Sequence, residues 1–140
     1  MFPADTRFLV VDDFATMRKI VKKVLNELGY SQIEEADDGK PALELLKNAL
    51  SSGRPFGVVI SDWNMPGMTG IELLKSCRQD PKLATLPFIL VTAESEQKNI
   101  LEAAKSGVSD YIVKPFNAVT LKTKLERVYQ RHHTSNKVAS

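Results

Sequence analysis

Short apolar runs alternate with longer stretches of helical spacing along the whole chain, and this alternation leaves few folds open. The runs are Phe8–Val11, Val58–Ile60, Phe88–Val91 and Tyr111–Val113, with a weaker one near Ile33. Their lengths suit strands covered on both faces, which show no inside/outside alternation. Between them, Met17, Ile20, Val21, Val24, Leu25 and Leu28 recur at helical spacing and stop at Gly29, a natural residue past a helix end. Leu43, Leu46, Ala49 and Leu50 make a second such face, closed by Ser51-Ser52-Gly53-Arg54-Pro55. A third helix begins at Thr69, whose hydroxyl can cap it while Glu72 reaches back, and it turns Ile71, Leu74 and Cys77 inward. A fourth is expected from about Glu94 to Ser106 with Ile100, Ala103 and Ala104, and a fifth carries Leu121, Leu125, Val128 and Tyr129. Beyond it, residues 132–140 form a polar, basic tail expected to fray. Five strand–helix pairs in strict alternation predict an α/β fold, a doubly wound five-stranded parallel sheet with helices on both faces. Without a repeat or a linker, residues 1–140 read as a single domain.

Several classes of function are poorly compatible with this chain. Its 140 residues, 43% hydrophobic and 26% charged, describe an ordered globular domain rather than a disordered one. No apolar run approaches the roughly 20 residues of a membrane span, and the start, Met1-Phe2-Pro3-Ala4-Asp5, lacks the features of a secretory signal. A single cysteine, Cys77, excludes an internal disulfide and a Cys-rich zinc site, so the expected location is cytoplasmic. The net charge is +2, with +4 gathered between Lys122 and Ser140. The body of the chain lacks the basic stripe with interleaved aromatics that nucleic acid would require. His132-His133 have no spaced partners and do not read as a metal site.

The chemistry gathers where strands end. The first strand runs into Asp12-Asp13, the third into Ser61-Asp62, the fourth into Thr92 and the fifth into Lys114-Pro115. In an open parallel sheet these positions share one edge, where ligands bind at the reversal of strand order. Three carboxylates brought together repel unless a cation enters, and an oxygen-only ligand set favours a hard dication such as Mg2+. Lys114 and Thr92 could then hold phosphoryl oxygens, which makes one Asp a candidate nucleophile for an aspartyl-phosphate. Taken singly, each group has a plainer explanation: helix capping for Asp12-Asp13 and Thr92, turn chemistry for Asp62, surface charge for Lys114. Their convergence on one edge is what carries the chemical reading.

At these residues the chain resembles the receiver domains of bacterial two-component systems. The segments 8–14 (FLVVDDF), 60–66 (ISDWNMP), 91–94 (VTAE) and 111–116 (YIVKPF) are similar to CheY-type chemotaxis response regulators, and the likeness covers about residues 5–131. It implies the strand order 2-1-3-4-5, for which this family is itself a standard example. It further implies Asp62 as the phosphoacceptor, with Mg2+ held by Asp13, Asp62 and the backbone carbonyl of Asn64, and Asp12 acting mainly through water. Lys114 would pair with the phosphoryl group. Thr92 and Tyr111 would form the switch, and Asn64 and Glu94 would tune dephosphorylation. The Lys114-Pro115 bond matches a position that is cis in the family.

The partner face implied by the resemblance comprises Ser95, Gln97, Ile100, Ala104, Val108, Tyr111, Val113 and Lys124. The expected partners are a CheA-like histidine kinase, a flagellar motor switch protein and a phosphatase, with the chain itself a monomer that touches neither nucleic acid nor membrane. Such a protein is not an enzyme beyond catalysing its own phosphorylation and dephosphorylation. A phosphate sink without motor binding would carry the same site residues. A haloacid-dehalogenase-type phosphatase also uses an aspartyl nucleophile, but it wants Asp-x-Asp after its first strand and a cap insertion. This chain has Asp12-Asp13 and no room for a cap. A flavodoxin-like carrier shares the fold, yet two carboxylates stand where a flavin phosphate would need donors.

Overall fold

The structure is a computed structural model and describes residues 1–93 and 97–139. Its elements alternate as expected: β1 (Phe8–Val11), α1 (Ala15–Glu27), β2 (Ile33–Ala36), α2 (Gly39–Ser51), β3 (Val58–Asp62), α3 (Gly70–Gln79), β4 (Phe88–Thr92), α4 (Gln97–Lys105), β5 (Asp110–Val113) and α5 (Ala118–Ala139). The five strands form one parallel sheet in the order β2-β1-β3-β4-β5. The chain order reverses beside β1, between β2 and β3, which sets the place where a ligand cleft opens at the carboxyl edge.

Each central strand is buried along its whole length, but its alternate residues serve two different cores. Phe8, Val10, Val58, Ile60, Ile89 and Val91 pack with Val21, Val24 and Leu25 of α1 and Leu121, Leu125 and Val128 of α5. Leu9, Val11, Val59, Phe88 and Leu90 pack with Leu46 of α2, Ile71 and Leu74 of α3 and Ala103 of α4. Uniformly apolar runs are therefore a requirement of burial on both sides. The two edge strands depart from this pattern. β2 reads Ile-Glu-Glu-Ala with its glutamates exposed, and β5 alternates buried and half-buried positions, because each lacks a neighbour on one side.

Helix starts and stops follow local chemistry. Thr69 accepts a hydrogen bond from the Glu72 N–H, while Glu72 accepts one from the Thr69 N–H, so the expected capping box forms at α3. Past α1, Gly29 takes φ 98°, a left-handed turn that costs glycine little. Cys77 is fully buried, and burial pushes its thiol up to about 11, so it behaves as a small hydrophobe.

Three expectations change. Ile20 is exposed, because it sits at the margin of the apolar stripe whose centre is Met17, Val21 and Val24. Ala104, grouped by spacing with Ile100 and Ala103, is exposed beside the buried Ala103. The tail expected to fray continues α5 as helix to Ala139: residues 118–139 contain neither Gly nor Pro, and an established helix propagates at little cost. Among the described residues no helix is long and apolar enough to cross a membrane.

Candidate functional site

Four strand ends meet at the carboxyl edge. Asp12 follows β1 directly, and its amide donates to the Ala36 carbonyl at 3.1 Å, continuing the ladder one residue past the strand. Asp62 ends β3, and the next amide, that of Trp63, donates to the Val91 carbonyl at 2.9 Å. Thr92 ends β4 and is buried, and its carbonyl accepts the Lys114 N–H at 2.7 Å. Backbone pairing thus fixes all four chemical groups before any side-chain contact is considered. The Lys114-Pro115 bond is cis, as the resemblance implies.

The side chains converge. Lys114 Nζ lies 3.0 Å from Asp62 Oδ1 and 3.6 Å from Asp12 Oδ2. Asp12, Asp13 and Asp62 each offer a carboxylate oxygen within 4.8 Å of the others. These three carboxylates against one ammonium leave a formal excess of two negative charges. The residues divide the work unequally. Asp12 is already engaged, since its Oδ1 accepts the Phe14 N–H at 2.9 Å and its Oδ2 faces Lys114. Asp13 Oδ1 is buried and has no hydrogen-bond partner among the described residues. An orphaned carboxylate oxygen beside two other carboxylates fits a hard dication, which would satisfy it and offset the excess charge. Asp13, Asp62, Asn64 and Lys114 line a cleft of about 420 Å3 with Phe14, Met65, Pro66 and Ala93.

Asp62 is 8% exposed. Burial raises its pKa, and the Lys114 ammonium beside it offsets only part of that rise, with Asp12 adding repulsion. A carboxylate so placed is poorly solvated and close to a fixed cation, which suits a nucleophile that must receive an anionic group.

Other expected residues occupy separate places. Tyr111 and Val113 are half-buried on β5 and Val108 half-buried before it; Ile100 is half-buried on α4, where Ala104 is exposed, and Lys124 lies on α5. Lys124 Nζ stands 4.9 Å from the Tyr111 ring centroid. Gln97 opens α4, while Glu94 and Ser95 lie outside the described residues.

Two contributors escape sequence reasoning. A Cβ on Gly70 would sit 2.1 Å from the Asp62 carbonyl oxygen, so the first residue of α3 must be glycine for the helix to back onto the Asp62 backbone. The Gly70 amide also donates to the Trp63 carbonyl at 3.0 Å. Thr69-Gly70 signals a helix start, but the close approach has no sequence signature. Arg18 donates to the Asp12 carbonyl at 2.7 Å and pairs with Glu35 at 3.0 Å, tying α1 and β2 to the end of β1.

With this geometry in place, comparison with known proteins gives one answer. Residues 8–126 match the response regulator receiver domain. The chain is 51% identical over 125 residues to chemotaxis protein CheY-3 of Vibrio cholerae, covering 89% of this chain and 92% of that one. It is 50% identical to chemotaxis protein CheY of Pseudomonas aeruginosa, covering 89% and 97%. The structure of chemotaxis response regulator CheY4 of Vibrio cholerae superposes with a TM-score of 0.76 at 36% identity, covering 89% of this chain and 98% of that one. Fold, strand-end chemistry and sequence agree, and the chain belongs to the response regulator receiver family as a receiver of the CheY chemotaxis type.

Proposed function

We propose that Asp62 is the phosphoacceptor of this receiver and that its phosphorylation changes the α4-β5-α5 face so that a flagellar motor switch protein binds there. The observation that carries the proposal is the meeting of Lys114 with Asp62 at 3.0 Å inside a group of three carboxylates. In the step itself, an Asp62 carboxylate oxygen forms a bond to the phosphorus of a phosphohistidine on a histidine kinase. The phosphorus–nitrogen bond breaks, its electron pair stays on the imidazole, and that ring takes a proton. Lys114 holds the transferred group by charge, and Thr92 donates its hydroxyl to a phosphoryl oxygen. Asp13 and Asp62, with the Asn64 carbonyl, would hold Mg2+, while Asp12 acts through water. Bound there, the ion would neutralise charge on the incoming phosphoryl oxygens.

The movement of Thr92 toward the phosphoryl group would draw Tyr111 with it, shifting a two-state element whose outer surface carries Ile100, Ala104, Val108, Val113 and Lys124. Ser95 and Gln97 belong to the same proposed face, and Asn64 and Glu94 to the control of dephosphorylation, which a phosphatase would assist.

Acetyl phosphate with Mg2+ should label the native chain and not Asp62→Asn, as read by intact mass in neutral, rapid conditions. Undiminished labelling of the variant would identify another acceptor. Beryllofluoride should raise the affinity for a flagellar switch peptide, and binding that ignores beryllofluoride would favour a phosphate sink.

A further inference from the structure

β5 is an edge strand, and its alternation puts Asp110 and Tyr111 on opposite faces of the sheet. Asp110 shares its face with Ile112, which packs in the core beneath α1 and α5, whereas Tyr111 packs against the core beneath α2, α3 and α4. A side chain can touch both only by passing over the open edge of the sheet. Lys124 does so. Its Nζ is 3.3 Å from Asp110 Oδ1 and 4.9 Å from the centre of the Tyr111 ring.

Asp110 has strong physical reason to hold that lysine. Its side chain is only 9% exposed, and a carboxylate taken that far from water needs cations and donors around it. Oδ1 accepts the Tyr111 N–H at 2.8 Å as well as the Lys124 contact. Oδ2 is buried, accepts no hydrogen bond among the described residues, and faces Arg127 Nη1 at 3.9 Å. Both cations come from α5, three residues apart, so they stand on one side of that helix. The lysine, held at its ammonium by the carboxylate, presents its charge to the face of the aromatic ring, an attractive arrangement.

We propose that Asp110 is a positioning residue for the switch: it anchors the Lys124 ammonium against Tyr111 and thereby sets the resting position of that ring before phosphorylation. The inference rests on the switching role given to Tyr111 above. A ring that leaves this position forfeits the cation contact, so the Asp110–Lys124–Tyr111 stack opposes spontaneous switching. Removing either charged member should release the ring by about 2- to 5-fold in population.

The test uses the full, unphosphorylated chain carrying fluorotyrosine, with the Tyr111 resonance assigned among the three tyrosines by Tyr111→Phe. Asp110→Asn, which keeps shape and the acceptor for the Tyr111 N–H, should raise the population of the alternative ring position ~2- to 5-fold. Lys124→Met should do the same, and the double variant no more than either single one. A ring population unchanged in both single variants, or effects that multiply in the double variant, would overturn the proposal. Should Asp110→Asn fold poorly, Lys124→Met, with its side chain at the surface rim, still decides the question. Labelling by acetyl phosphate, run in parallel, should be no weaker in Asp110→Asn than in the native chain, because phosphorylation and ring movement are coupled reciprocally. Failure of the native chain to accept phosphoryl would count against the receiver chemistry, whereas the ring population is read without phosphorylation.

Discussion

Burial governs the ionisation of Asp62. Its pKa is raised because desolvation outweighs the nearby Lys114 ammonium, so the folded protein binds this proton more tightly than the unfolded chain does. A raised carboxylate pKa has a definite sign for stability. Below the unfolded value, near 3.9, the group is protonated in both states and carries no penalty. As pH rises through the higher folded value, ionisation in the interior costs stability, and the full cost is present at neutral pH. Asp62→Asn removes the charge and keeps the shape, and Lys114 retains Asp12 at 3.6 Å. In a chelating buffer the variant should therefore melt higher than the native chain at pH 7, and the gap should close as pH falls toward 4. Thermal unfolding at several pH values measures this. A variant that melts lower at pH 7 would mean that the Lys114 pairing outweighs desolvation.

At the scale of elements, α3 shows how a helix can serve a residue it does not contain. Its capping box fixes where the helix starts, and Gly70, its first residue, lets the backbone close on the Asp62 carbonyl. Gly70→Ala places a methyl group 2.1 Å from that carbonyl oxygen, so β3 and α3 must separate locally. The expected result is a loss of about 1–3 kcal/mol of stability, the range for overpacking, together with slower labelling of Asp62 by acetyl phosphate. Denaturant melts and initial labelling rates check both; unchanged rates would show that the proposed acceptor is insulated from α3. Much of this architecture was legible in sequence because the central strands must be apolar on both sides and because turn and cap residues punctuate them. The acidic cluster was legible for the same reason, since strand ends in a parallel sheet share an edge. Gly70 was not, because close approach is a property of two elements together. Asp110 was hidden similarly: the cations that offset its buried charge arrive from α5, and only the edge position of β5 lets Lys124 reach Tyr111. Ile20 reads as core by spacing but lies at the stripe's margin, where helix placement rather than periodicity decides exposure.

For the whole molecule, the sheet separates two clusters of buried residues among those described, and the site sits on its edge rather than in either cluster. Ile60 belongs to the layer under α1 and α5, and Ile71 to the layer under α2, α3 and α4. Each Ile→Val change should cost about 0.5–1.5 kcal/mol. Because an intervening sheet keeps the two side chains from sharing partners, the double variant should lose the sum of the single losses to within about 0.5 kcal/mol. The sheet also joins the layers through strands common to both, so unfolding should remain one cooperative transition, with fluorescence of Trp63 and far-ultraviolet circular dichroism reporting the same midpoint. Phosphoryl acceptance should survive these changes, since the four strand ends are fixed by backbone pairing rather than by methyl contacts. Urea titrations of the four proteins test the argument directly. Losses that fail to add, or probes that separate, would show that strain crosses the sheet, and the two layers would then have to be treated as one coupled body in any account of the proposed response of the α4-β5-α5 face to phosphorylation of Asp62.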